Sequence, residues 1–170
     1  HTIRKINLNT GQVTTLAGSA GQSGSVDGTG ASAHFNSPYS IAIDAASQYA
    51  YVADTNNHTI RKISLNPGTV TTLAGSALAS GSADGTGGTG GTARFNYPQG
   101  IAIDAASQYA YVADTNNHTI RKITLSGANP GTVTTLAGSA GQSGSANEQG
   151  ALARFNSPYG IAIDSVNQYA

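Results

Sequence analysis

Histidine and aspartate are the side chains of this sequence best suited to chemistry, and both recur at intervals. His1, His58 and His118 each open the segment HTIRKI, Asp54 and Asp114 each close the segment YVAD, and Asp44, Asp104 and Asp164 each follow IAI. An imidazole can ligate a metal or carry a proton. A zinc centre, however, needs three or four ligands meeting at one point, and groups copied once per unit in a radial array stay apart. Catalysis meets the same objection, because it needs unlike groups at one place. The spacing points to turn-locking instead. Asp54 and Asp114 precede the turns Thr55-Asn56-Asn57 and Thr115-Asn116-Asn117, where a carboxylate accepts backbone N–H groups or pairs with an arginine such as Arg61 or Arg121. Each histidine borders its turn and is expected to hydrogen-bond locally, and Asp44, Asp104 and Asp164 read as turn caps.

The Gly-rich segments carry Asp27-Gly28-Thr29-Gly30 and Asp84-Gly85-Thr86-Gly87, while the third copy has Asn147-Glu148-Gln149-Gly150. A calcium loop draws six to eight oxygens from several carboxylates, and each of the first two segments offers one carboxylate. No cofactor is expected, and calcium is the one metal that these loops suggest at all. His34 is replaced by Arg94 and Arg154 in the sister copies, which suits a solvated basic position better than a ligand. The sequence has no phosphate-binding GxxxxGK[ST] motif and no cysteine for nucleophilic work. No catalytic residue and no metal ligand is assigned.

Eight basic and eight acidic residues leave no net charge, and only 9% of the 170 residues are charged, against roughly 25% in an average soluble domain. Six of the basic residues lie in three Arg-Lys pairs, so no basic stripe forms for nucleic acid, and a membrane surface is disfavoured for the same reason. No stretch approaches the ~18 apolar residues of a membrane-spanning helix. A chain rich in Gly, Ser, Thr, Ala and Asn, without Cys, Met or Trp, fits an extracellular or cell-surface protein of bacterial or archaeal origin.

The elements that must position these residues follow from the internal repeat. HTIRKI begins at His1, His58 and His118, VTTLAGSA at Val13, Val70 and Val133, and FN-x-P at Phe35, Phe95 and Phe155, a period of 57 to 63 residues. Ile41 to Ile63 returns letter for letter as Ile101 to Ile123. One period holds four strand candidates: Ile41–Asp44, Gln48–Asp54, His58–Ser64 and Thr69–Ala74. In the second, Tyr49, Tyr51 and Ala53 alternate with Ala50 and Val52, the period-two pattern of a strand. No helical apolar stripe appears. Four short strands joined by tight turns, apolar on both faces, predict an all-β propeller blade that packs against a neighbour on each side.

The set Phe95, Pro98, Gly100, Ile101, Ala102, Tyr111, Val112, Ala113, Asp114, Asn117, His118, Ile120 and Arg121 resembles the NHL repeat. The other complete copy carries the same set with Ser40 in place of Gly100, and the long Gly/Ser-rich segments resemble those of bacterial extracellular NHL proteins. The resemblance implies four-stranded blades over about 35–75 and 95–138, with partial blades at 1–18 and 155–170. These are three blade-equivalents in one segment, 1–170, forming an open arc. Roughly four to eight blades close a ring, so the arc is expected to join further blades of a longer chain or identical chains.

Thr59 and Thr119 stand where the family often has a basic residue, which weakens any carry-over of RNA binding. The expected role is a non-catalytic scaffold binding a protein or glycan through Asp54, Asn56, Asn57, His58, Asp114, Asn116, Asn117 and His118. The rival readings are a self-assembling filament or surface subunit, and a metal-dependent propeller lyase or hydrolase of the kind some NHL-type propellers form.

Overall fold

The computed structural model describes residues 1–170. It contains eleven strands and four single turns of 3-10 helix. Strands β1 (Thr2–Ile6) and β2 (Val13–Gly18) form a two-stranded sheet. Strands β4 (Pro38–Ile43), β5 (Tyr49–Asp54), β6 (Thr59–Ser64) and β7 (Thr69–Gly75) form the first complete blade. Strands β8 (Pro98–Ile103), β9 (Tyr109–Asp114), β10 (Thr119–Thr124) and β11 (Val133–Gly138) form the second. Each blade is an antiparallel meander. The chain is all-β, an open arc of propeller blades. No helix is long and apolar enough to cross a membrane.

The alternation along the second strand of a blade divides its side chains between two cores. Tyr51 and Ala53 join a cluster with Phe95, Ile101, Ala110, Val112, Ile123 and Val133 of the next blade. Ala50 and Val52 face the other way and pack with Ala17, Ala33, Phe35, Ile63 and Val70. A strand with two apolar faces is stable only between two neighbours, and the first complete blade has neighbours on both sides. The first strands β4 and β8 pack against each other, so the inner edges of successive blades converge on a common axis.

The Gly/Ser-rich segments carry more structure than their composition suggests. Residues 28–29 form a short strand, β3, that pairs with Val70 and Thr69 and makes the first complete blade five-stranded, in the order β3-β7-β6-β5-β4. The equivalent segment of the next unit makes a single bridge, Gly85 to Val133. These pairings cover the outer edge of each blade, where unpaired N–H and C=O groups would otherwise invite another strand.

Strands β2, β7 and β11 each contain a bulge. The register skips Leu16, Leu73 and Leu136 between the pairs Ile3–Ala17 and Arg4–Thr15, Ile60–Ala74 and Arg61–Thr72, and Ile120–Ala137 and Arg121–Thr135. In residues 155–170 the expected strands do not form: an isolated bridge joins Asp164 and Tyr169 around a turn. The ladder that would define a strand there has no second partner among residues 1–170.

Candidate functional site

The strand-to-strand turn at Thr55–Asn57 is one turn of 3-10 helix closed by His58, whose φ of 57° lies in the left-handed region; Thr115–Asn117 and His118 repeat it. Behind each turn lies a buried ionic clasp. Arg61 is fully buried: its Nη1 donates to Asp54 Oδ2 at 2.8 Å and to the His34 carbonyl at 3.0 Å. Its Nη2 donates to Asp27 Oδ1 at 2.6 Å and to the Val26 carbonyl at 3.1 Å. The guanidinium stands over the Phe35 ring, 5.3 Å from its centroid. Arg121 repeats the arrangement with Asp114, Asp84, the carbonyls of Arg94 and Ala83, and the ring of Phe95.

Asp54 also accepts the Asn36 backbone N–H at 2.7 Å and the Asn57 side-chain amide at 2.8 Å, and the same amide group reaches the Gly24 carbonyl. Asp114, Asn96, Asn117 and Gly81 match them. One carboxylate therefore ties its own turn to the segment that arrives from the preceding blade. Burial pushes the Asp54 carboxyl above the ordinary range, against the pull of Asn57, Asn36 and Arg61, and burial does the same to Asp114.

Both oxygens of Asp27 are engaged, by Arg61 and by the hydroxyl and backbone N–H of Thr72 beside the β7 bulge. Asp84 binds Arg121 and Thr135 in the same way. For Asp84, partial burial pushes the carboxyl up, but the bonds from Thr135 and Arg121 outweigh it and hold the group below the ordinary carboxylate range.

The histidines differ from the sequence expectation of local bonding. His58 Nδ1 accepts the Tyr97 backbone N–H at 3.1 Å, His118 Nδ1 accepts that of Ser157 at 3.0 Å, and His1 Nδ1 accepts that of Ser37 at 3.0 Å. Every donor belongs to the next unit along the chain and has a positive φ. The left-handed conformation at His58 and at Tyr97 turns the acceptor and the donor toward each other across the blade boundary. Thr55 Oγ1 adds a bond to the Pro98 carbonyl and Thr115 Oγ1 one to that of Pro158. At the strand turns after β4 and β8, the Ser107 hydroxyl accepts the Ala45 N–H and the Ser165 hydroxyl that of Ala105. Asp44 and Asp104 cap these turns by accepting N–H groups of Gln48, Tyr49, Gln108 and Tyr109, and Asp164 accepts those of Val166 and Asn167.

The His58 bond yields a pH prediction. Burial lowers the His58 pKa below 6.5, so the unfolded chain takes up the proton first. The stabilisation is complete above about pH 6.5 and is lost as pH falls through the lower folded value. Protonation at Nδ1 would also remove the acceptor for Tyr97. Melting temperature is expected to fall as pH drops below about 6.5, and His58→Gln is expected to flatten that slope; equal slopes in the two proteins would refute the assignment.

Of the residues expected at a binding face, Asp54, Asn57, Asp114, Asn117 and His58 are buried, and His118 is half-buried. Asn56 is half-buried, its amide on the Ser37 hydroxyl, and Asn116 is exposed. No group of three or more His, Cys, Asp or Glu side chains is placed to hold a metal ion. The sequence reading missed Asp27 and Asp84 as partners of Arg61 and Arg121. Their recurrence one residue before Gly28 and Gly85 in matching segments was the available signal.

The NHL repeat model matches residues 95–123. NHL repeat-containing protein 2 of Bos taurus is 37% identical over 130 residues, which cover 73% of this chain and 18% of that protein. The Homo sapiens protein of the same name is 33% identical over the same share. The chain thus spans about 18% of the length of these curated relatives. Among solved structures, an auxiliary nutrient binding protein from Bacteroides thetaiotaomicron superposes with a TM-score of 0.72 at 23% identity, covering 98% of this chain and 39% of that one. A second protein from the same species, of unknown function, gives 0.73 at 24% identity, covering 94% and 36%. With the repeated Tyr-Val-Ala-Asp and Asn-His-x-Ile-Arg segments now placed in blades, the chain belongs to the NHL-repeat family of β-propellers.

Proposed function

We propose that this chain is a non-catalytic, cofactor-free binding scaffold that works outside the cell and presents the turns at Asp54–His58 and Asp114–His118 to a protein or glycan. The observation that carries the reading is the internal use of every group in these turns that could do chemistry. The carboxylates are committed to arginine, the imidazoles to backbone N–H groups of the next blade, and the inner asparagines to both sides of the clasp. What projects from each turn is the amide of Asn56 or Asn116, repeated once per blade, and repetition converts weak single contacts into useful avidity. The zero net charge and the scarcity of charged residues support a protein or glycan partner over nucleic acid.

Further blades, of the same polypeptide or of another copy, are also partners in this reading. Ile101 of β8 is buried in the core shared by the two complete blades and Ile103 packs against that core, whereas their counterparts Ile41 and Ile43 on β4 are half exposed. Apolar side chains at the same register call for the same kind of cover.

Carrying Asn56→Ala and Asn116→Ala together is expected to weaken partner binding by at least about tenfold in glycan-array and cell-surface-protein binding assays. The melting temperature should hardly change, since Asn116 is exposed and half-buried Asn56 loses only a long bond to the Ser37 hydroxyl. Unchanged binding by the double variant would remove this face from the proposal.

A further inference from the structure

Residues 35–63 and 95–123 differ at three positions only: Ser37 and Tyr97, Tyr39 and Gln99, Ser40 and Gly100. All three lie at the start of the first strand, where successive blades converge. The third unit carries Ser157, Tyr159 and Gly160 there. The divergence of two nearly identical copies is thus confined to one end of the inner strands.

Four observations make that end a site. Tyr39 and Tyr159 come from units that are two apart, yet their ring centroids are 6.5 Å apart with the planes inclined at 59°. Both rings remain more than half exposed, 64% and 54%. The register between β4 and β5 breaks between Pro38 and Ser40, and that between β8 and β9 breaks between Pro98 and Ile101. Tyr39 and Gln99 therefore sit at bulges, the device that re-aims a side chain out of the pleat. In the intervening blade, the side-chain oxygen of Gln99 is shielded from solvent and has no hydrogen-bond partner. Gly100 completes the approach: a Cβ there would run into the backbone of Tyr159 and Gly160, so its absence lets the third unit's inner segment close to backbone contact.

We infer that Tyr39, Gln99 and Tyr159 form a site for a neutral saccharide at the axial end of the blades, with the exposed phenol faces against sugar C–H groups and the Gln99 side-chain N–H groups donating to sugar hydroxyls. This deepens the scaffold reading and rests on it for the ligand being bound rather than turned over. Residues 35–40, 95–100 and 155–160 include no charged side chain, so an anion finds no counter-charge. A purely apolar group would cover the paired rings but strip water from the two phenol hydroxyls without replacing it, which the hydroxyls of a sugar ring do.

Calorimetric titration of the intact chain with cellohexaose, laminarihexaose, maltohexaose, xylohexaose and mannohexaose tests the inference, and tyrosine emission gives a second readout because the chain has no tryptophan. At least one hexasaccharide is expected to bind. Tyr39→Ala and Tyr159→Ala should each weaken that binding by about tenfold, the loss expected from one stacked aromatic. Gln99→Leu should weaken it while holding or raising the melting temperature, since the substitution removes an unpaired buried oxygen. Binding of none of the five, or binding indifferent to all three substitutions, overturns the inference. A saccharide lost only in the Asn56→Ala, Asn116→Ala double variant overturns it too while leaving the scaffold reading in place. Loss only in the tyrosine and glutamine variants supports the axial site and sinks the turn face.

Discussion

Arg61→Ala is expected to lower the unfolding free energy by about 3–5 kcal/mol, the usual cost of removing one partner from a buried ion pair. The side chain has no exposed surface, and its loss leaves the fully buried Asp54 carboxylate without its counter-charge. It also strips donors from the carbonyls of His34 and Val26 and uncovers the Phe35 ring. Arg61→Lys should recover little, because one ammonium cannot reproduce a planar fork that meets four acceptors. Asp27→Ala should cost less, since its side chain is 36% exposed, so water can take its place beside Arg61 and Thr72 while the Arg61–Asp54 pair stays intact. Combining Arg61→Met with Asp54→Asn should return part of the lost stability, because the pair is then removed together. Urea denaturation of the four proteins measures all of this. An Arg61→Ala loss under about 1 kcal/mol would mean that the clasp does not hold the incoming segment to its blade.

Phe95→Ala carries the second large effect, about 3–5 kcal/mol for a fully buried aromatic. Phe95 has no exposed surface, lies in the core cluster shared by both complete blades, and supports the Arg121 guanidinium at 5.2 Å. The stability of a repeat array is a sum of unit terms and neighbour terms, and this substitution acts on the neighbour term. Scanning calorimetry is therefore expected to show one transition in the parent chain and a broadened or split transition in the variant. A single sharp transition shifted by only a degree or two would show that the blades are coupled elsewhere, through the histidine bonds or the inner strands.

The blade was legible in the sequence because its information is local. The alternation from Tyr49 to Ala53, the Asn-rich turn and the paired copies of Ile41–Ile63 predict the meander, and observed strand limits differ from the expected ones by a few residues at either end. The pairing of Asp54 with Arg61 was legible for the same reason, since the two residues lie in adjacent strands. What stayed hidden depends on partners far along the chain. Asp27 reaches Arg61 across 34 residues, and His58 reaches Tyr97 across 39; the residues recur once per unit, but recurrence alone does not say which of them meet. Strand β3 has no apolar alternation to announce it, because Gly28 and Thr29 are held by an edge rather than by a core. The bulges at Leu16, Leu73 and Leu136 are invisible for a further reason: skipping one residue in the register changes which neighbour a side chain meets without changing the composition.

The histidine bonds between blades all end on a main-chain N–H, and the residues supplying it are Ser37, Tyr97 and Ser157. A joint made on the peptide group accepts serine or tyrosine at the donor position, and where tyrosine stands, its ring adds an edge-on contact to the His58 imidazole, 4.7 Å between centroids. Each unit also brings both halves of the fitting, an imidazole at its trailing turn and a left-handed N–H donor at its leading strand. Tandem copying of one period in the coding DNA would thus insert a module that fits between any two existing ones with no compensating change, and the positions flanking the joint would remain free to diversify. Arrays of this kind can lengthen first and specialise afterwards.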